Sequence, residues 1–210
     1  MIVDTIVALE GLSEYRTLED VPANILKAAS RAINRTTERA RTAGAREIRK
    51  QVNLPARYVS DNLFAGAAAS PGNLEREIVG KQRPVSLARF ARGTPESTQR
   101  VGQVSLEMQT GRVSFIGSKQ GGKTRAFLIR LRGRGGDTGA NANIGLAVRL
   151  KPGETIRNKK FRTVTTNSGL TLLYGASVDQ IFQTVREDIT PDTADFLERE
   201  FLRLIELDLP

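Results

Sequence analysis

Residues Gly117-Ser118-Lys119-Gln120-Gly121-Gly122-Lys123-Thr124 fit the pattern G-x-x-x-x-G-K-[ST] at every defined position. In a phosphate-binding loop of that type the glycine amides cradle the phosphates. The lysine reaches the β- and γ-phosphates, and the threonine hydroxyl binds Mg²⁺. The chemistry needs a strand before the loop and a long helix after it, with the helix N-terminus aimed at the phosphate. A strand is expected before it, at Arg112–Ile116. The stretch after it, Arg125-Ala126-Phe127-Leu128-Ile129-Arg130-Leu131, is broken at once by Gly133, Gly135 and Gly136. No downstream apolar strand ends in an aspartate placed to hold magnesium. The surroundings therefore predict a glycine-rich hairpin loop carrying two lysines rather than a nucleotide site.

Few other residues suggest catalysis. Glu75 and Glu77 are spaced to point the same way from a strand, as a carboxylate pair would, but nothing nearby completes a glycosidase or metal site, and a solvated strand face explains them. The chain has no Cys and no His. That removes thiolate nucleophiles, the usual zinc sites and every Ser/His or Cys/His arrangement. It also removes the side chain best suited to proton transfer near neutral pH. The expectation is a non-enzymatic protein with no catalytic residue, no cofactor and no metal.

Charge is the stronger signal. The net charge is +9 over 210 residues. Residues 27–162 hold 28 Lys/Arg against 9 Asp/Glu, whereas residues 186–210 hold 3 Arg against 8 Asp/Glu. A basic body followed by an acidic end suggests a polyanion as one partner and a second copy of the chain as another. Lys119, Lys123, Arg130, Arg132, Arg134, Lys159, Lys160 and Arg162 are the candidates to face DNA or an interface. Asp192, Asp195 and Glu198 are the candidates for an acidic contact between subunits. Three Tyr and no Trp leave few platforms for base stacking, so any nucleic-acid contact is expected to be non-specific and to the backbone.

This length can bury a real core in one or two domains. No run approaches the ~20 apolar residues that span a bilayer. The opening Met1-Ile2-Val3-Asp4 lacks the basic stretch and apolar core of a signal peptide. The expected place of synthesis and assembly is the cytoplasm, with no membrane partner.

The elements that would position these residues read as α+β. A long amphipathic helix is predicted over 22–52, opened by Asp20 and Pro22. Its narrow stripe is Ile25, Ala29, Ile33, Thr36, Ala40, Ala43 and Glu47/Ile48. Gly44 is expected to weaken it by about 1 kcal/mol. A short helix is predicted from Leu54 to Phe64. A central antiparallel sheet with long basic loops is predicted over 73–165, from alternation at Leu74–Val79, Val104–Met108 and Arg112–Ile116 and apolar runs at Ala126–Ile129 and Ile144–Val148. The loops are 117–124, 132–143 and 151–162. C-terminal helices are predicted over 176–207. One runs over Ala176–Val185, and a second is opened by Thr190 and Pro191 and carries Ala194, Leu197, Phe201, Leu204 and Ile205. The whole chain, 1–210, is expected to form a single α+β domain.

Several stretches, in this order and spacing, resemble the phage minor tail protein Z family. They are Ala32-Ile33-Asn34-Arg35-Thr36 with Arg39-Ala40-Arg41-Thr42 and Glu47-Ile48-Arg49; Pro84-Val85-Ser86-Leu87 with Phe90, Ala91-Arg92 and Thr94; Gly102 to Met108 with Gly111-Arg112; Ala126-Phe127-Leu128-Ile129; and Leu172, Leu173-Tyr174-Gly175, Ser177-Val178 and Phe182. The resemblance runs from about residue 25 to 205. The chain departs from it in loops 117–124 and 132–143, and at Ala176, where the family carries proline. The resemblance implies a tail-completion or neck protein of a long-tailed phage. Such a protein forms a ring, hexameric or otherwise matched to the tail, around a lumen that double-stranded DNA traverses. Its partners would be copies of itself and other tail and neck proteins, such as a tail terminator or head-closure protein. Its place would be the virion, assembled in the bacterial cytoplasm. Two alternatives stay open on the residues alone: a basic nucleic-acid-binding protein without catalysis, and a P-loop nucleotide-binding protein.

Overall fold

The computed structural model describes residues 21–94, 102–117, 125–131, 143–150, 156, 162–166 and 169–208. Residues 1–20 and most of the three expected loops lie outside them. The described elements are α1 (Ala23–Gln51), α2 (Ala56–Ser60), β1 (Leu63–Ala65), β2 (Ile78–Gly80), a 3-10 turn (Leu87–Phe90), β3 (Gln103–Gln109), β4 (Arg112–Gly117), β5 (Arg125–Leu131), β6 (Asn143–Arg149), β7 (Arg162–Thr165), β8 (Leu170–Tyr174) and α3 (Val178–Asp208). The class is α+β, with a long helix at each end of the described chain and antiparallel strands between. The chain divides into two compact units, one made of Met1–Ile48, Val59–Lys81 and Asp179–Pro210, the other of Arg49–Tyr58 and Gln82–Val178.

In the first unit α1 and α3 pair along their lengths. Ala28, Ala29 and Ala32 of α1 bury against Leu197, Phe201 and Leu204 of α3, flanked by Ile25, Ile33 and Ile205. Small side chains on α1 let the helices approach closely, and the large ones come from α3. The buried face of α1 also includes Thr36, Ala40, Gly44 and Ile48. Gly44 is the tightest point: a Cβ there would lie 2.6 Å from Phe182 Cε2. The residue expected to weaken the helix is what makes room for the partner helix. Asn34 ties residues 66–73 to α1, since its Nδ2 donates to the Ala69 carbonyl and its Oδ1 accepts from the Ala69 amide, both at 2.9 Å. Arg76 reinforces this by donating to the Gly66 and Asn34 carbonyls and to Glu38.

Three local expectations change. The helix that starts after Pro55 stops at Ser60, and Leu63–Ala65 is instead a strand paired antiparallel with Ile78–Gly80. Glu75 and Glu77 lie outside any strand, so they are not a strand-borne carboxylate pair. The C-terminal segment is one helix, Val178–Asp208, with Pro191 inside it. The physical reason lies at Thr190: its hydroxyl donates back to the Arg186 carbonyl at 2.8 Å instead of capping a new helix. Thr193 does the same to the Ile189 carbonyl at 2.7 Å.

The second unit is built on strands. β3 and β4 form an antiparallel ribbon, and β5-β6-β8-β7 form a four-stranded antiparallel sheet. Alternation assigns two faces to the larger sheet. Ala126, Leu128, Leu146, Val148 and Leu173 lie on one, and all are fully buried. β3 and the 3-10 turn pack on this sheet, contributing buried Val104, Leu106, Leu87 and Phe90. The opposite face carries half-buried Phe127, Ile129, Leu131, Leu170 and Tyr174. The segment before the 3-10 turn is pinned to the end of β8, where the Gly175 amide donates to the Val85 carbonyl at 2.8 Å.

Candidate interaction surfaces

Gly117, the first residue of the phosphate-loop pattern, closes β4 with φ +93°. A Cβ there would lie 2.2 Å from the Gly102 carbonyl oxygen and 2.9 Å from Ala126. The strand ends sit so close that only glycine fits, which explains this glycine without a ligand. Residues 118–124, including Lys119 and Lys123, lie outside the described residues. After them comes strand β5, Arg125–Leu131, hydrogen-bonded along its length to β6. The run therefore joins strand to strand. The helix whose N-terminus would hold a phosphate is not there.

Of the remaining basic candidates, Arg132, Arg134, Lys159 and Lys160 lie outside the described residues. Arg130 and Arg162 are described and exposed. The fold does not bring these two together. β5 and β7 are the two edge strands of the sheet. The register, Arg130 opposite Ile144 and Arg162 opposite Tyr174, also puts the two arginines on opposite faces. Three strand spacings separate them, about 14 Å. Instead, Arg162 shares its face with Arg149 of β6, which stands opposite Leu170.

The basic side of α1 is partly consumed within its own unit. Arg35 pairs with Glu200 of α3, and the Arg39 guanidinium sits 4.4 Å from the centroid of the Phe196 ring. Glu200 is also held by Arg203, at 2.8 Å. The Arg203 and then the Arg35 hydrogen bonds lower its pKa to about 2, against the cost of burial. Sequence patterning did not single out this triad. Its signal was available as an Arg flanking the apolar stripe of α1 and a Glu-x-x-Arg step on α3.

Asp192, Asp195 and Glu198 are all exposed on α3. At 100° per residue they share the outward face with Asp188, Leu202 and Glu206. Among the described residues none of these five acids makes an ion pair. Two other acids, one in each unit, are held by local contacts. The Glu107 carboxylate accepts from the Gly111 amide at 2.8 Å and from Arg92, and both hold its pKa below the usual range. Arg41 and Arg76 do the same to Glu38 in the first unit. Among the described residues no three carboxylates converge to hold a metal ion, and no helix is long and apolar enough to cross a membrane.

No known protein family, no curated protein and no solved structure matches this chain.

Proposed function

We propose that the chain is a non-enzymatic structural subunit of a phage tail. In this reading copies form a ring at the head-proximal end of the tail, help complete or join it, and touch DNA in the lumen through charge alone. The observation that carries it is the separation of charge. An outward acidic face on α3, made of Asp188, Asp192, Asp195, Glu198 and Glu206, belongs to a chain that is otherwise strongly basic. A surface of that kind suits repeated contact between copies better than a soluble monomer. The resemblance to the minor tail protein Z family supports the place of the ring. The strand that follows the phosphate-loop pattern supports a role without nucleotide chemistry.

Sedimentation velocity on the purified chain, paired with salt-titrated binding to duplex DNA, tests the reading. Oligomers should form with rising protein concentration, while DNA binding by the dissociated subunit stays weak. A monomer that binds free DNA tightly, with log K falling steeply against log salt, would favour a nucleic-acid-binding protein instead. Nucleotide binding that is lost in Lys123→Ala would return the phosphate loop to consideration.

A further inference from the structure

The face of β6-β8-β7 opposite the buried core has a definite layout. Arg149 stands opposite Leu170, and Arg162 opposite Tyr174. Four residues along β8 and two strand spacings across separate these arginines, about 16 Å on the diagonal. Between them lie Leu172 and Val164, which pair with each other. Val164, on the edge strand, is 47% exposed, whereas Leu172 beside it is 7% exposed. Both arginines are exposed, and neither makes an ion pair among the described residues.

The outward face of α3 has the opposite layout. Asp195 and Glu206 are eleven residues apart on one stripe, about 16 Å at the helical rise. Leu202 lies between them and is 52% exposed. Arg199 also lies on that stripe, and its Nε donates to the Asp195 carbonyl at 3.1 Å. The two surfaces thus match in length and in the order charge, apolar, charge, with signs reversed.

We propose that the outward face of α3 in one copy packs on the exposed β7 side of the β6-β8-β7 face in the next copy, with Asp195 and Glu206 meeting Arg149 and Arg162 and Leu202 covering Val164. This rests on the assembly reading above and gives it an interface. The contact is heterologous, so it repeats head to tail and closes into a ring if the rotation allows. Its ion pairs rim an apolar centre, so added salt weakens it without abolishing it.

The test is sedimentation velocity of the full chain and two double variants, Asp195→Lys with Glu206→Lys, and Arg149→Glu with Arg162→Glu. Every changed residue is exposed, and circular dichroism melting confirms that each variant is folded. Each variant alone should need at least about tenfold more protein to assemble than the unaltered chain. An equimolar mixture of the two should recover assembly, because each reversed face then meets its complement. Leu202→Lys, tested alone, should also weaken assembly. If the unaltered chain assembles and the folded reversal variants assemble equally well, the interface is wrong while the assembly reading survives. A chain that stays monomeric at every concentration overturns both.

Discussion

Arg35 of α1 donates to Glu200 of α3, and the same carboxylate is gripped from its own helix by Arg203. Glu200 is 8% exposed, so burial alone would raise its pKa; the two guanidiniums reverse that and hold it at about 2. A carboxyl whose folded pKa lies below its unfolded value adds stability above the unfolded value, near 4.5. That stability is lost as pH falls from there toward 2. Replacing Glu200 by Gln should therefore destabilise the chain at neutral pH by about 1–3 kcal/mol. The difference from the unaltered chain should shrink as pH falls through that window, read as urea midpoints from pH 7 down to pH 2. A difference that stays constant with pH would show that the carboxylate charge is not what joins the helices.

Gly44→Ala sets two effects against each other. Alanine gains about 1 kcal/mol of helix propensity. Its Cβ, however, would press into the Phe182 ring at 2.6 Å with Ile189 behind it at 3.6 Å, and overpacking costs about 1–3 kcal/mol. Net destabilisation is expected, and it should be relieved when Phe182→Leu is added. Denaturant midpoints of the two single variants and the double give the coupling. Stabilisation by Gly44→Ala alone would mean that the helices do not approach closely there.

Pro191 separates two descriptions of the C-terminal segment. At the first turn of a new helix it would cost almost nothing. Inside a continuous helix, where the structure has it, it costs about 3 kcal/mol relative to Ala. Pro191→Ala should therefore stabilise the chain by about 1–3 kcal/mol, measured as a rise in Tm. No change in Tm would argue for two helices that meet at Thr190.

Thr36 is 5% exposed, and among the described residues its hydroxyl has no hydrogen-bond partner. Valine has the same shape without the oxygen. Leaving a buried polar atom unpaired costs about 1–3 kcal/mol, so Thr36→Val should be neutral or stabilising in thermal melts. A clear loss of stability would mean that the hydroxyl has a partner.

These residues also show how far the sequence could be read. α1 was legible from its stripe of steps of three and four, and β3 through β6 from alternation and short apolar runs between glycines. Val85, Leu87, Leu173 and Val178 are buried in the second unit. β1 was hidden because three residues are too few to show a period, and Pro55 nearby announces a helix. Pro191 misled for a related reason. Thr-Pro is a strong helix start taken locally, but packing of Ile189, Leu197 and Phe201 on one side of α3 carries the helix through it. Gly44 looked like a defect because propensity is local while its use, room for Phe182, is not. Among the basic candidates, charge was visible but placement was not. Register, not composition, puts Arg130 and Arg162 on opposite faces and gives Arg162 the companion Arg149.

Negative-stain electron microscopy of the purified chain tests the central claim most directly. Closed rings of one size with a central opening wide enough for duplex DNA are expected, growing in number with protein concentration. A field of monomers at every concentration, from a sample that retards duplex DNA at low salt, would contradict it.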